Sequence, residues 1–295
     1  MLEHPAGERA FTFDCEGEQL VGIISAPRQP AARGVLIVVG GHQYRVGAHR
    51  QFALLARSLA QAGIAVMRFD YRGMGDSQGE ARDFEQIAID IRAAADRFVA
   101  ELPPLRELVI WGLCDGATAA LLYAPSDARV RAVVMLNPWA RTDDGHAKAT
   151  LKHYYGARLF DPGFWRKLAS GRFSFRESLR SLLALAGRMA AKPGAGQTVE
   201  AALPARLLAA LRRFDGAVLL MMSGEDLTAR EFSDMAAGST AWRSALAHPR
   251  VTRHDLAGAD HTCSSHAWRD QGNQWTAEWV ERLPAAAPTA APRKP

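Results

Sequence analysis

The turn at residues 112–116, Gly-Leu-Cys-Asp-Gly, constrains the fold of this chain more than any other stretch. It follows the apolar run Leu-Val-Ile-Trp at 108–111 and precedes the helix-forming run Ala-Thr-Ala-Ala-Leu-Leu at 117–122. A tight strand-to-helix turn requires glycines beside its apex, because a side chain there would collide with the neighbouring strand or helix. Cys114 at the apex is placed as a nucleophile would be. The competing interpretation is a buried core cysteine in a chance motif.

Strands and helices alternate around this turn. Continuous apolar runs at 34–39, 64–69 and 130–136 predict strands buried on both faces, and amphipathic stretches at 49–62 and 84–100 predict the intervening helices. This alternation indicates right-handed βαβ crossovers and an α/β fold with a doubly wound, mostly parallel sheet. The other predicted elements are an edge hairpin at 9–26, strands at 217–222 and 251–256, a helix at 229–247, and a closing helix that contains Trp268, Trp275 and Trp279 and ends near residue 283.

The alternation breaks after residue 140. Residues 141–213 offer helical stretches but no convincing strand, which predicts a helical insertion that covers the active site as a lid. We therefore expect residues 1–140 and 214–283 to form the core. The Pro/Ala-rich tail, 284–295, is expected to be disordered.

Positive charge is concentrated in the predicted insertion. Residues 141–213 hold 14 Lys/Arg and 5 Asp/Glu, whereas the whole chain of 295 residues has a net charge of only +5. The excess favours either an anionic substrate or a solvated helical face. Nucleic acid is not an expected partner, because no recognised binding motif accompanies the charge.

Cysteine usage and the amino terminus bear on location. The three cysteines are odd in number and show no C-x-x-C spacing, so neither a disulfide framework nor a zinc site is predicted, and a reducing cytoplasm is favoured. The first residues lack a basic stretch followed by an apolar one, and no 18 apolar residues run together. We expect no export signal, membrane span, metal or cofactor.

Three reactive side chains follow three predicted strands. Cys114, Asp226 and His261 each fall at the carboxyl end of a predicted strand, and those ends meet at one edge of an α/β sheet. Their order along the chain is nucleophile, acid, histidine. The sequence therefore predicts that they converge on one site.

Each of the two later residues has a competitor. Asp226 could instead cap a turn, and Glu225 is adjacent. His254 lies inside a predicted strand and His266 in the following helix, which favours His261 as the base. Asp70, Arg72 and Cys263 are predicted to be structural.

Five motifs together resemble the α/β-hydrolase superfamily over nearly the whole chain. They are Val-Val-Gly-Gly at 38–41, Phe-Asp-Tyr-Arg-Gly-Met-Gly-Asp-Ser at 69–77, the turn at 112–116, Gly-Glu-Asp at 224–226 and Gly-Ala-Asp-His at 258–261. The cysteine turn is most similar to the first of two hydrolases associated with bacterial exosortase systems, which are encoded beside exopolysaccharide genes. Dienelactone hydrolases also carry a cysteine turn, but they are smaller and lack an insertion of this length.

The residue types imply acyl transfer through a Cys-His-Asp triad. The helix dipole and a nearby imidazolium favour the Cys114 thiolate. His261 moves the proton, and Asp226 fixes its tautomer. The intermediate is a thioester; water as the acceptor makes the protein an ester or thioester hydrolase, and an alcohol or amine makes it an acyltransferase.

Backbone N–H groups complete the predicted site. Those of Asp115 and of the Gly41-His42 turn are expected to form the oxyanion hole. The charge of Asp115 opposes thiolate formation unless its side chain points away.

The substrate is left open among small-molecule and saccharide-linked acyl compounds. An anionic one is favoured, such as a coenzyme A thioester, an acylated acidic saccharide or a lipid-phosphate-linked glycan. The alternative from another class is a non-catalytic binding or scaffolding protein of the same fold.

Overall fold

The computed structural model describes residues 7–41, 43–140 and 202–284, and within them eight strands form one sheet. The strands are β1 (Gly7–Cys15), β2 (Glu18–Ala26), β3 (Arg33–Val38), β4 (Ala65–Asp70), β5 (Glu107–Leu113), β6 (Val130–Leu136), β7 (Ala217–Ser223) and β8 (Val251–Leu256).

Seven α-helices flank this sheet in the same described ranges. They are α1 (Gln51–Gln61), α2 (Ala88–Glu101), α3 (Asp115–Tyr123), α4 (Leu203–Arg213), α5 (Leu227–Ala237), α6 (Thr240–Leu246) and α7 (His266–Arg282), with short 3-10 turns at Ala48–Arg50 and Ala124–Ser126.

The strand order is β1-β2-β4-β3-β5-β6-β7-β8. β1 pairs antiparallel with β2, and β2 antiparallel with β4, while every pairing from β4 to β8 is parallel. The predicted α/β fold with a mostly parallel sheet is confirmed, as is the antiparallel hairpin at its edge.

The middle of the sheet is the core of the molecule. Every residue of β4 and of β5 is buried, because helices cover both faces. On one side α1 contacts α7, and on the other α3 contacts α2 and α4. Each fully buried Leu, Ile, Val or Phe stabilises the fold by roughly 1.5–3 kcal/mol. The buried middle of the sheet therefore fixes the position of the sheet edge at which the site lies.

The helix predicted at 229–247 is wrong as a single element. It divides into α5 and α6 at Gly238, after which the side chain of Ser239 accepts a hydrogen bond from the N–H of Trp242 and begins the second helix. A polar residue that caps a helix competes with continuation of the helix before it.

Most of the predicted insertion, residues 141–201, lies outside the described residues, as does the tail from 285 onward. The end of that insertion is α4, whose Leu207 and Leu211 are buried and which packs against α3 of the core. The lid stays a prediction. No helix in the described parts of the chain is long and apolar enough to cross a membrane.

Candidate active site

Cys114 occupies a strained turn between β5 and α3. Its backbone has φ 59° and ψ −124°, a conformation that a residue with a side chain rarely adopts. Its N–H donates to the carbonyl of Leu136 at 2.9 Å, and its own carbonyl accepts from the N–H groups of Ala117 and Trp139. These contacts with β6 and α3 hold the half-buried thiol at the edge of the sheet.

The glycines of this turn are required by backbone contacts. A Cβ on Gly112 would lie 2.4 Å from the carbonyl carbon of Gly116, and one on Gly116 would lie 2.6 Å from the carbonyl oxygen of Val38. Neither neighbour is a flexible side chain that could move aside. The tight turn predicted from the sequence is therefore present, and Cys114 is its apex.

Asp226 follows β7 and is the N-cap of α5. Its carboxylate accepts hydrogen bonds from the N–H groups of Thr228 at 3.2 Å and Ala229 at 3.1 Å, and only 5% of the residue is exposed. Asp226 thus caps a helix, as the competing interpretation held, and capping accounts for these two contacts. The same cap fixes the carboxylate in one orientation.

The remaining carboxylate contact of Asp226 is with His261. Nδ1 of His261 lies 3.0 Å from Oδ2 of Asp226, although the ring N–H is not directed along that line as a well-formed hydrogen bond requires. Catalytic hydrogen bonds in ligand-free sites are often misaligned in this way and tighten when substrate binds. The structure brings the predicted acid and histidine together.

Cys114, together with Asp226, changes the pKa of His261. The contact with Asp226, and after it the contact with Cys114, raises the pKa of the imidazole from 6.5 to about 10, against the opposing effect of burial. His261 is therefore cationic at neutral pH. An imidazolium beside a thiol favours the thiolate, the form that attacks carbonyl carbon.

The predicted oxyanion hole has an occupant that the sequence did not predict. Oδ1 of Asp115 accepts a hydrogen bond from the N–H of Gly116 at 3.0 Å, and the carboxylate also interacts with the N–H groups of Gly41 and of Asp115 itself. Burial raises the pKa of this carboxyl above its usual value. His42, the other residue predicted here, lies outside the described residues.

The competing histidines and acid lie elsewhere. His254 stacks on Trp275, with ring centroids 4.5 Å apart, and His266 contacts Arg269 at the start of α7. Glu225 is paired with a different partner, Arg230, at 2.8 Å.

Asp70 and Arg72 belong to the scaffold but not to a common ion pair. Asp70 pairs with Arg45, while the buried Arg72 binds Asp90 at 2.9 Å and Glu16 at 2.5 Å. Their partners lie in the loop after β3, in the turn between β1 and β2, and in α2. The structural role predicted for them agrees with these contacts.

The other two cysteines are buried thiols. Burial raises the pKa of Cys15 and of Cys263 to about 11, and Sγ of Cys263 lies 3.9 Å from the hydroxyl of Ser223. Both are protonated at neutral pH. Cys263 is a packing residue, as predicted.

Asn137 is the residue that the sequence did not reveal. It follows β6, is fully buried, and has φ 48°. Its Nδ2 donates to the Ser223 hydroxyl at 2.9 Å and to the carbonyl of His261 at 3.1 Å, and its Oδ1 accepts from the N–H of Ser223 at 2.8 Å. The available sequence signal for Asn137 was an asparagine directly after an apolar strand, because asparagine adopts a positive φ more readily than most residues.

Groups of three or more His, Cys, Asp or Glu placed to hold a metal do not occur in the described ranges. The side chains that converge are a thiol, an imidazole and a capped carboxylate.

Comparison with known proteins agrees with this fold. Residues 30–170 match the model of the serine aminopeptidase S33 family of hydrolases. A structure of the esterase Pf2001 of Pyrococcus furiosus superposes with a TM-score of 0.64 at 16% identity, covering 94% of this chain and 93% of that one. At that identity the likeness establishes the fold. The chain has the α/β-hydrolase fold.

Two curated relatives are similar over shorter stretches. The polyketide transferase grgF of a Penicillium species is 35% identical over 89 residues, which is 28% of this chain and 30% of the relative. The quorum-quenching protein AidA of Acinetobacter baumannii (strain MDR-ZJ06) is 27% identical over 137 residues, 43% of this chain and 42% of the relative. The matches thus span less than half the length of either relative.

Proposed function

We propose that this protein is an acyl ester or thioester hydrolase that uses Cys114 as nucleophile, His261 as general acid and base, and Asp226 as the residue that orients the histidine. The observation that carries the proposal is the meeting of the strained Cys114 turn with the Asp226–His261 pair. One protein of similar fold is named an esterase, and this name supports the same class of chemistry.

The first half-reaction forms a thioester. The Cys114 thiolate attacks the acyl carbon, a C–S bond forms, and the carbonyl electron pair moves onto oxygen. When the carbonyl re-forms, the bond to the leaving oxygen or sulfur breaks with its electron pair. The His261 imidazolium gives its Nε2 proton to that leaving group, because Nδ1 faces Asp226.

The second half-reaction releases the acyl group. Neutral His261 takes a proton from water as the water oxygen attacks the thioester carbon. Collapse of the oxyanion expels the Cys114 thiolate, so the thiolate–imidazolium pair is restored and a carboxylic acid leaves. An alcohol or amine acceptor in place of water turns the same sequence into acyl transfer; similarity to a protein named polyketide transferase favours testing such acceptors.

The substrate is proposed to be a small-molecule or saccharide-linked acyl compound, and an anionic one. The excess of Lys/Arg in residues 141–213 supports an anionic group. The resemblance of the cysteine turn to the exosortase-associated hydrolases supports a role beside exopolysaccharide assembly in the cytoplasm. A dienelactone-type hydrolase would use the same nucleophile on a cyclic ester.

A screen of p-nitrophenyl esters and acyl thioesters against the full chain tests the activity. We expect turnover by the wild type and a loss of about 10³-fold or more in Cys114→Ala. Cys15→Ala, a change at a buried thiol of β1, is the matched control and should keep the activity. Full activity in Cys114→Ala would refute the mechanism.

Acceptor choice is tested with the same substrates. Adding alcohols or amines and identifying the products by mass spectrometry measures the partition between hydrolysis and transfer. The non-catalytic alternative predicts that no ester or thioester in the screen is turned over.

A further inference from the structure

The side chain of Asp115 lies beside the backbone turn that the predicted oxyanion hole would use. Its Oδ1 accepts the hydrogen bond of the Gly116 N–H at 3.0 Å. The N–H groups of Gly41 and Asp115, the two described donors of the predicted oxyanion hole, favour the charged form of the same carboxylate.

The neighbouring strand end leaves room for this carboxylate. A Cβ on Gly40 would lie only 2.2 Å from Oδ1 of Asp115, so the carboxylate rests against a backbone that carries no side chain. The same Cβ would lie 2.5 Å from the carbonyl of Leu113 and 2.7 Å from the N–H of Gly116. Gly40 is therefore needed by the turn as well, and a change there cannot isolate Asp115.

We propose that the Asp115 carboxylate plugs the oxyanion hole of the resting protein and must leave its backbone donors before an acyl oxygen can bind, so that Asp115 restrains acylation of Cys114. This inference rests on the proposed function. Its physical basis is that two negative oxygens cannot share the same N–H donors, and the donors stabilise a developing oxyanion only when they are free.

If Asp115 blocks the oxyanion hole, it should slow one reaction of the Cys114 thiol and leave another unaffected. Acylation by p-nitrophenyl acetate develops an oxyanion, whereas alkylation by iodoacetamide displaces iodide from a saturated carbon and develops none. The ratio of the two rate constants at Cys114 therefore reports the oxyanion hole. Changes in the thiolate fraction cancel from this ratio.

The variants Asp115→Ala and Asp115→Asn test the proposal. We expect the acylation-to-alkylation ratio to rise about tenfold in Asp115→Ala, which frees the donors whose individual loss costs roughly 10²- to 10³-fold in other enzymes. Asp115→Asn keeps the shape of the side chain without its charge, so its ratio should fall between those of Asp115→Ala and the wild type. Asp83→Asn is the control. Asp83 is an exposed acid whose charge, like that of Asp115, raises the pKa of Tyr71, and its removal should leave the ratio unchanged.

The outcomes separate this inference from the proposed function. If Cys114 is acylated and alkylated in the wild type but the ratio stays level or falls in both Asp115 variants, the plug is wrong and the nucleophile stands. A purely structural role of Asp115 predicts that result, since damage to the turn slows both reactions together. If Cys114 is neither preferentially alkylated nor acylated, both proposals fail.

Discussion

Nδ2 of Asn137 donates a hydrogen bond to the main-chain carbonyl of His261 at 3.1 Å, although the two residues are 124 positions apart. The same amide group binds Ser223 through its hydroxyl and its N–H. Asn137 thus joins the ends of β6 and β7 to the loop that carries the histidine. It is a positioning residue, because it acts on the site through the backbone of His261.

Asn137→Ala should weaken both the fold and the site. It leaves the buried Ser223 N–H without its partner, which costs about 1–3 kcal/mol, and it removes the donor to the part-buried His261 carbonyl. We expect a lower urea midpoint and, since the loop of His261 loosens, a fall of about tenfold or more in kcat/KM on any ester found.

The control for that change is Asn137→Gly, which also removes the amide but suits the positive φ of this residue. If the hydrogen bonds matter, Asn137→Gly will be as slow as Asn137→Ala even where it is more stable. Normal activity in Asn137→Gly would mean that the amide does not position His261.

Gly112→Ala should disrupt the turn around Cys114. Its Cβ would lie 2.4 Å from the backbone of Gly116, so β5 or α3 must shift, at a cost of about 1–3 kcal/mol. We expect a lower melting temperature together with slower alkylation of Cys114.

Gly272→Ala is the matched change inside a helix. A Cβ there meets nothing within 4 Å, and alanine stabilises a helix interior by roughly 0.5–1 kcal/mol relative to glycine. Its melting temperature should rise and its Cys114 reactivity should stay normal. Equal effects of the two changes would contradict the steric account of Gly112.

Hydrophobic pattern was enough to predict the sheet, because strands such as β4 and β5 are buried along their whole length and read as unbroken apolar runs. The positions of Cys114, Asp226 and His261 followed from the rule that reactive residues gather at the carboxyl ends of such strands. Local pattern carries this information, since each residue lies within five positions of the end of its strand.

Side-chain direction was not predictable in the same way. Asp115 was expected either to oppose the thiolate or to point away. It lies instead against Gly40, a contact between the turn after β3 and the start of α3 that no local pattern encodes. Asn137 escaped notice for the same reason, because its partners come from β7 and from the loop after β8. Tertiary packing decides both.

Cys114 should be alkylated selectively by iodoacetamide at neutral pH. Cys15 and Cys263 have pKa values raised by burial to about 11, so almost none of either thiol is ionised, and both are shielded from the reagent. Peptide mass spectrometry after short exposure measures the three sites in one sample. Equal labelling of Cys114 and the two buried thiols under native conditions would remove the basis for an activated nucleophile.

The raised pKa of His261 should also appear as a pH dependence of stability. The imidazole has a pKa of about 10 in the folded protein, against 6.5 for an ordinary histidine. Between these values the folded state binds more protons than the unfolded state, so the free energy of unfolding falls as pH rises. The contribution of His261 is fully present below pH 6.5 and is lost as pH passes through 10.

The variant His261→Gln isolates this contribution from other titrating groups. Urea unfolding of the wild type and of His261→Gln at several values between pH 6.5 and 10 gives their difference in stability. We expect the wild type to lose stability relative to the variant across that window, because only the wild type carries the imidazolium held by Asp226 and Cys114. A difference that does not change with pH would show that these two groups do not hold the charge of His261.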